Sequence, residues 1–91
     1  MGVAVSPDGR TVYVASGRGN SVLVVDARTR TLGATIPVGQ RPWGLALTRD
    51  GRKLYVANGR SDSVSVVATA SRRVTAAVTV GSAPWGVAVA P

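Results

Sequence analysis

Apolar and polar positions along the chain alternate in short runs that are separated by clusters of turn-forming residues. Residues 2–5, 11–15, 21–25 and 32–38 each form such a run, rich in valine. Alternation with a period of two is typical of strands, and no segment has the three-to-four-residue apolar spacing of an amphipathic helix. The first half of the sequence therefore predicts four strands and no helix.

The segments between these runs have the composition of tight turns. Ser-Pro-Asp-Gly occupies 6–9 and Gly-Arg-Gly-Asn occupies 17–20, and a polar stretch at 27–30 precedes the fourth run. Proline and glycine favour tight turns at such positions. Aspartate and backbone oxygens are also the ligands that calcium prefers, but no second acidic residue follows Asp8 closely. The sequence therefore favours a turn over a calcium site.

The whole plan repeats at a constant interval, because Gly2, Gly44 and Gly86 are evenly spaced and each begins a glycine-apolar-alanine-apolar stretch. Other pairs at the same interval are Asp8-Gly9 with Asp50-Gly51, Tyr13 with Tyr55, and Pro42-Trp43 with Pro84-Trp85. Four strands in each repeat of this length match the blade of a β-propeller. Residues 2–43 and 44–85 are predicted to be two blades, and residues 86–91 the first strand of a third.

Both sides of the predicted sheets are apolar. In the second strand Val12 and Val14 point to one side, while Tyr13 and Ala15 point to the other, and we expect Tyr13 and its counterpart Tyr55 in the core. A sheet that is apolar on both sides must be covered on both, and stacked blades cover each other. The predicted fold class is therefore all-β, with two four-stranded antiparallel propeller sheets in an incomplete ring.

The repeated motifs also resemble a known family. The run GVAVSPDGRTVYVA at 2–15, SVLVVD at 21–26 and Pro-Trp-Gly at 42–44 is similar to the YVTN family of β-propeller repeats, and the resemblance covers nearly the whole chain. It implies a ring that usually has seven blades. It also implies an extracytoplasmic location if a longer parent chain carries a signal peptide. It transfers a scaffold and no catalytic residue.

Composition narrows the chemistry. The 91 residues include no cysteine and no histidine, and all four acidic residues are aspartates. The commonest zinc and haem ligands are therefore missing, as is the base of a Ser/His/Asp or Cys/His site. We expect no cofactor, no metal site and no enzyme activity of the chain's own. No run approaches the ~18 apolar residues of a membrane helix, so we expect no membrane insertion.

The chain carries a net charge of +7, which attracts polyanions or simply keeps an arginine-rich surface solvated. Alternating strands place the turns on two opposite rims. A basic rim is predicted to carry Arg10, Arg28, Arg30, Arg52, Lys53, Arg72 and Arg73. The other rim is predicted to carry the binding face, formed by Arg18, Arg41, Arg60, Trp43 and Trp85. For the two tryptophans, packing between neighbouring blades is the structural alternative, and we favour it.

Two blades cannot close a ring that needs four to eight, so each end presents an apolar sheet face. The expected partners are other propeller blades, in the same longer chain or in a homo-oligomer of three or four copies, and beyond them a protein or a polyanion. In a ring of identical copies, residues 86–91 of one copy and residues 2–7 of the next would compete for one position, so we favour a fragment of a longer propeller. In an oligomer, the surplus strand would be exchanged between copies. The predicted function is a non-catalytic β-propeller scaffold module or fragment that mediates protein or surface interaction. One alternative is a basic propeller that binds nucleic acid or another polyanion. The other is a fragment of a lactonase-like seven-bladed enzyme.

Overall fold

Two four-stranded antiparallel sheets make up the computed structural model, which describes residues 2–80. The first sheet contains β1 (Val3–Val5), β2 (Thr11–Ser16), β3 (Ser21–Asp26) and β4 (Thr31–Pro37). The second contains β5 (Pro42–Leu47), β6 (Lys53–Asn58), β7 (Ser63–Ala68) and β8 (Arg73–Thr79). These residues include no helix that is long and apolar enough to span a membrane. The predicted all-β class and the two blade-like sheets are confirmed.

The strands of each sheet are hydrogen-bonded in the order in which they occur in the chain. The second sheet begins at Pro42, so β5 includes the last two residues of the segment predicted as the first blade. The segment 86–91, predicted as the first strand of a third blade, lies outside the described residues. The predicted bounds of the blades, 2–43 and 44–85, therefore stay predictions.

The core lies at the seam where one face of the first sheet packs against the second sheet. Tyr13, Val22, Val24 and Ile36 of the first sheet meet Leu54, Val56 and Val67 of the second, and none of the seven is more than 5% exposed. Full burial of one such side chain contributes about 1.5–3 kcal/mol. Because both sheets contribute side chains to this buried cluster, the seam holds the two blades together.

Tyr13 connects the first blade to a turn of the second. Burial raises the pKa of its hydroxyl above the ordinary value, while the charge of Arg72 and a hydrogen bond with Thr69 act in the opposite direction. Thr69 in turn donates a hydrogen bond from Oγ1 to the carbonyl of Gly51, at 2.6 Å. The tyrosine therefore adds a polar contact to an otherwise apolar seam.

A small polar group lies at one end of the seam. Asn58 is fully buried, and its Nδ2 donates hydrogen bonds to Ser65 Oγ at 2.8 Å and to Ser63 Oγ at 3.3 Å. Its Oδ1 has no hydrogen-bond partner within the described part of the chain. Gly39 lies against this amide so closely that a Cβ there would be 2.6 Å from Asn58 Cγ. Any larger residue at 39 would therefore have to displace a buried side chain.

The outer face of each sheet is apolar, and parts of it are exposed to solvent. Val3 and Val5 are 59% and 54% exposed on the first sheet, and Val78 is 51% exposed on the second. Tyr55 lies on the same outer face as Val66, with which it is paired, and is only half-buried. The expectation of a core position thus holds for Tyr13 and not for Tyr55. The two tyrosines lie on equivalent sides of their sheets, but only the side that carries Tyr13 packs against the other sheet.

Candidate functional site: an arginine-lined cleft

Three connecting segments meet on one rim of the two sheets. They are the β2–β3 turn, the link between the two sheets and the β6–β7 turn. Together they enclose a cleft of about 330 Å³, which we call the arginine cleft. Its described lining consists of Gly17, Arg18, Asn20, Gln40, Arg41 and Arg60. The three arginines predicted to share one rim are therefore brought to a single cleft.

Backbone hydrogen bonds position the cleft arginines. The Arg41 N–H donates to Oδ1 of Asn20 at 2.9 Å, and both residues have left-handed backbone conformations, with φ of 53° and 52°. The Arg60 N–H donates to the Gln40 carbonyl at 3.2 Å, and the Gly59 N–H donates to the Arg41 carbonyl at 3.0 Å. The link is thus tied to a turn of each blade, so the cleft exists only when the two blades are packed together.

The link has one further tie. The Gln40 N–H donates to Ser61 Oγ at 2.6 Å, while the Ser61 N–H donates to the Asn58 carbonyl at 3.2 Å. This chain of contacts leads from the cleft to the buried polar group at the end of the seam. The turn that carries Arg60 is therefore anchored to the core.

The described lining residues of the cleft carry only positive charge, although Asp62 lies two residues from Arg60 in the same turn. Arg18, Arg41 and Arg60 contribute three guanidinium groups, and none of the described lining residues is acidic. Guanidinium stays protonated in proteins, and its planar fork matches the oxygens of a carboxylate or a phosphate. All three arginines are exposed, so their charges are partly screened by water. The arrangement can bind an oxyanion, and it offers no general base.

Trp43 extends the arginine cleft along the rim. It is the extra residue of a bulge between Pro42 and Gly44 in the β5–β6 ladder, and it is 45% exposed. A bulge re-aims the side chain of its extra residue, and the favoured interpretation of packing between blades stays a prediction for Trp43. It lines an adjoining space of about 360 Å³ together with Arg18 and Arg41. Trp85, the other tryptophan of the predicted binding face, lies outside the described residues.

The opposite rim gathers charge of both signs. A cleft of about 380 Å³ there includes Asp8 and Asp26 as well as Arg10 and Arg72. The other cations of the predicted basic rim are exposed and do not line this cleft; they are Arg28, Arg30, Arg52, Lys53 and Arg73. The structure therefore does not bring the residues of the alternative basic face together in one cationic cleft.

The aspartates of that rim stabilise turns. The pKa of Asp8 is lowered by a hydrogen bond from Ser6 Oγ at 2.6 Å and by the backbone N–H of Arg10 at 2.9 Å. Asp50 repeats the arrangement, since Thr48 Oγ1 donates to it at 2.7 Å and its pKa is lowered in the same way. Both carboxylates are thus used within their own Asp-Gly turns, as the turn interpretation expects.

Sequence reasoning missed the residues that shape the arginine cleft without charge, which are Asn20, Gln40 and Ser61. For Asn20 a signal was available, because asparagine at the end of a glycine-rich turn is one of the few residues that adopt positive φ readily. Gln40 and Ser61 act through the hydrogen bond from the Gln40 N–H to the Ser61 hydroxyl, which joins segments 21 residues apart. No local pattern reveals such a contact.

Comparison with known proteins places the chain among β-propellers. The family model described as "Lactonase, 7-bladed beta-propeller" matches residues 2–90. The hydrazine synthase of Kuenenia stuttgartiensis is 39% identical with a TM-score of 0.96, over 99% of this chain and 26% of that one. The dihydro-haem d1 dehydrogenase NirN, solved in complex with DHE, is 27% identical with a TM-score of 0.85, over 100% of this chain and 21% of that one.

More distant structures share the fold alone. AztD from Citrobacter koseri is 17% identical with a TM-score of 0.82, over 97% of this chain and 26% of that one. No curated protein sequence matches the chain significantly. The chain spans about a quarter of the length of the solved structures that it resembles.

Proposed function

The chain belongs to the family of seven-bladed β-propeller lactonases, and we propose that it acts as a non-catalytic pair of propeller blades that binds an oxyanion group of a partner in the arginine cleft. One observation carries the proposal: Arg18, Arg41 and Arg60 converge on one cleft whose described lining contains no acidic residue. The ligand class is a carboxylate or phosphate group presented by another molecule.

The geometry supports recognition by charge and hydrogen bonding at the rim. A hydrogen bond to a charged group contributes about 1.5–3 kcal/mol when it is shielded from water, and less at exposed sites such as this one. A free ion should therefore bind weakly, with a dissociation constant of about 1 mM. Exposed Trp43 beside the cleft supplies an apolar surface for the rest of a larger ligand.

The scaffold role has separate support. The cleft is built from turns and a link, which are the segments that vary most freely on a rigid propeller. The blades beneath it are held by the seam and by the ties between Gln40 or Arg41 and the neighbouring turns. The same ties favour a preformed cleft, which loses little conformational entropy when a ligand binds.

The family match favours a second candidate function, a contribution to lactone hydrolysis in a propeller enzyme. In that case the cleft arginines would stabilise the negative charge that develops on the carbonyl oxygen of the lactone as water adds to it, and the general base would come from elsewhere. A titration assay of lactone opening by this chain tests it. Turnover above the rate in buffer that is lost in the variant R18Q/R41Q/R60Q would establish this function and remove the non-catalytic one.

The binding proposal is tested by nuclear magnetic resonance titration with inorganic phosphate and, separately, with hexaglutamate. We expect saturable shifts of the backbone amides of Arg18, Arg41 and Arg60, weakening as salt is added because the charges are exposed. The variant R18Q/R41Q/R60Q should lose these shifts. Saturation by phosphate and not by the peptide would assign the site to phosphate groups. Saturation by the peptide and not by phosphate would assign it to carboxylates.

A matched control separates a site from general attraction. The variant R28Q/R30Q/R73Q removes an equal number of positive charges, three, from the opposite rim, and we expect it to retain the shifts. Equal losses in the two variants would show that net charge alone attracts the anions. That result would overturn the proposal.

A further inference from the structure

The two outer sheet faces of this chain are repeats of the two faces that meet at its seam. We define the valine face of the first sheet by Val3, Val5, Val12, Val14, Leu23 and Val25. We define the tyrosine face of the second sheet by Ala46, Tyr55, Val64, Val66, Ala76 and Val78. Strand pairing places the members of each set on one side of their sheet. Each face therefore has a counterpart that is buried within the same chain.

The counterparts of the tyrosine face, one repeat earlier in the sequence, form the first sheet's side of the seam. Val78 corresponds to Ile36, and their exposed fractions are 51% and 2%. Tyr55 is half-buried, whereas its counterpart Tyr13 is 5% exposed. The tyrosine face thus has the chemistry of a surface that is buried in this fold against a valine-rich and leucine-rich sheet.

The counterparts of the valine face, one repeat later in the sequence, form the second sheet's side of the seam. Val12 corresponds to Leu54, and Val14 corresponds to Val56. Both counterparts are fully buried, while Val12 and Val14 are half-buried. At another position the valine face is the more apolar of the two, since Leu23 corresponds to the buried Ser65. The valine face is therefore suited to receive a tyrosine face.

We propose that copies of this chain associate head to tail, with the tyrosine face of one copy packed on the valine face of the next in the geometry of the seam. The occupant is a second copy because this chain carries both halves of the contact, one on each outer face. Such an interface is heterologous, so it continues until a ring closes. Rings of three or four copies contain six or eight blades, within the range in which propellers close.

The repeat is imperfect, and this bears on affinity. In the seam Tyr13 is hydrogen-bonded to Thr69, but the residue equivalent to Thr69 in the next copy is Ala27, which has no hydroxyl. Each copy also carries a net charge of +7, so copies repel one another at long range. Association should therefore strengthen as salt screens that repulsion. The proposed binding of an oxyanion has the opposite dependence on salt, so the two proposals can fail separately.

Sedimentation velocity from about 1 µM to about 1 mM protein tests the proposal. We expect the wild-type chain to form species of three or four monomer masses, with more of them at higher salt. A monomer over the whole range, or a dimer that does not grow, would overturn it. The variants V78D and V5D each place a carboxylate on one of the two faces, at positions that are more than half exposed in the monomer. Each should lower the association constant by at least about 100-fold, because an unpaired charge would be buried.

Mixing the two variants gives the decisive result. V78D keeps an intact valine face and V5D keeps an intact tyrosine face, so together they should form a one-to-one dimer that grows no further. A mixture that stays monomeric, while the wild type associates, would refute the head-to-tail geometry. The control V74D alters an exposed valine of the same strand that pairs with Val67 on the seam side. V74D should associate like the wild type, and circular dichroism establishes that each variant is folded.

Discussion

The most direct test of the seam is the substitution Leu54→Ala. Leu54 is fully buried and packs with residues of both sheets, while Leu32 in β4 is 60% exposed. Removing a buried leucine side chain leaves a cavity and costs about 2–5 kcal/mol. The same change at Leu32 removes a side chain that is mostly hydrated already, so we expect a loss of about 1 kcal/mol or less.

The larger loss of unfolding free energy matters because small domains have little stability in total. A typical native domain is stable by about 5–15 kcal/mol, and a chain of this length lies near the lower end. L54A should therefore unfold at a much lower urea concentration than the wild type, while L32A should unfold at nearly the same one. Urea titrations followed by circular dichroism give both free energies of unfolding.

Self-association would stabilise the folded state, so both substitutions are best made in the V78D background, at one fixed protein concentration. The two variants then differ only in whether the leucine lies in the seam or on the surface. Equal losses of unfolding free energy in L54A and L32A would refute the reasoning. They would mean that each sheet is stable without the other.

Three further predictions follow from individual contacts. Gly39→Ala should lower the free energy of unfolding measured in urea, because the new Cβ would meet the buried amide of Asn58 at 2.6 Å; an unchanged value would show that the amide moves aside. Ser6→Ala should raise the pKa of Asp8 towards its ordinary value in a carbon-13 titration, because the largest cause of its lowering is removed. The stability that the Asp8 carboxylate contributes is present above its unfolded-state pKa and is lost as the pH falls through the lower folded-state pKa. Stability should therefore fall less on acidification in Ser6→Ala than in the wild type. Burial raises the pKa of Tyr13, so the stability that its neutral hydroxyl contributes is lost as the pH rises above the unfolded-state value of about 10. Over this alkaline range, the free energy of unfolding measured in urea should therefore fall less for Tyr13→Phe than for the wild type.

The sequence predicted the strands well because the pattern of this fold is local. Alternation in residues 11–15 and the Asp-Gly turn at 8–9 specify a strand and a turn within a few positions. The constant repeat interval then specified the second sheet. Even where Arg49 replaces Pro7, the turn is kept, because Thr48 and Asp50 reproduce the hydrogen bond between Ser6 and Asp8.

The candidate site was only partly predictable. Topology alone placed Arg18, Arg41 and Arg60 on one rim, but their convergence depends on the contact from Arg41 to Asn20. The exposure of Trp43 depends on a bulge that offsets Pro42 from Gly44 in the ladder. Contacts and bulges of this kind depend on how two segments meet, so they cannot be read from either segment by itself.

The in-order pairing of strands also bears on how the chain folds. Within residues 2–80 every ladder joins strands that are consecutive in the chain, so each of the two sheets can form through short loop closures, which cost little entropy. Only the docking of one sheet on the other requires distant residues to meet. We expect folding to begin as two separate meanders and to finish with the formation of the seam, as in repeat proteins whose units contact only their neighbours. During synthesis the first meander can therefore be complete before the last strand of the second has left the ribosome.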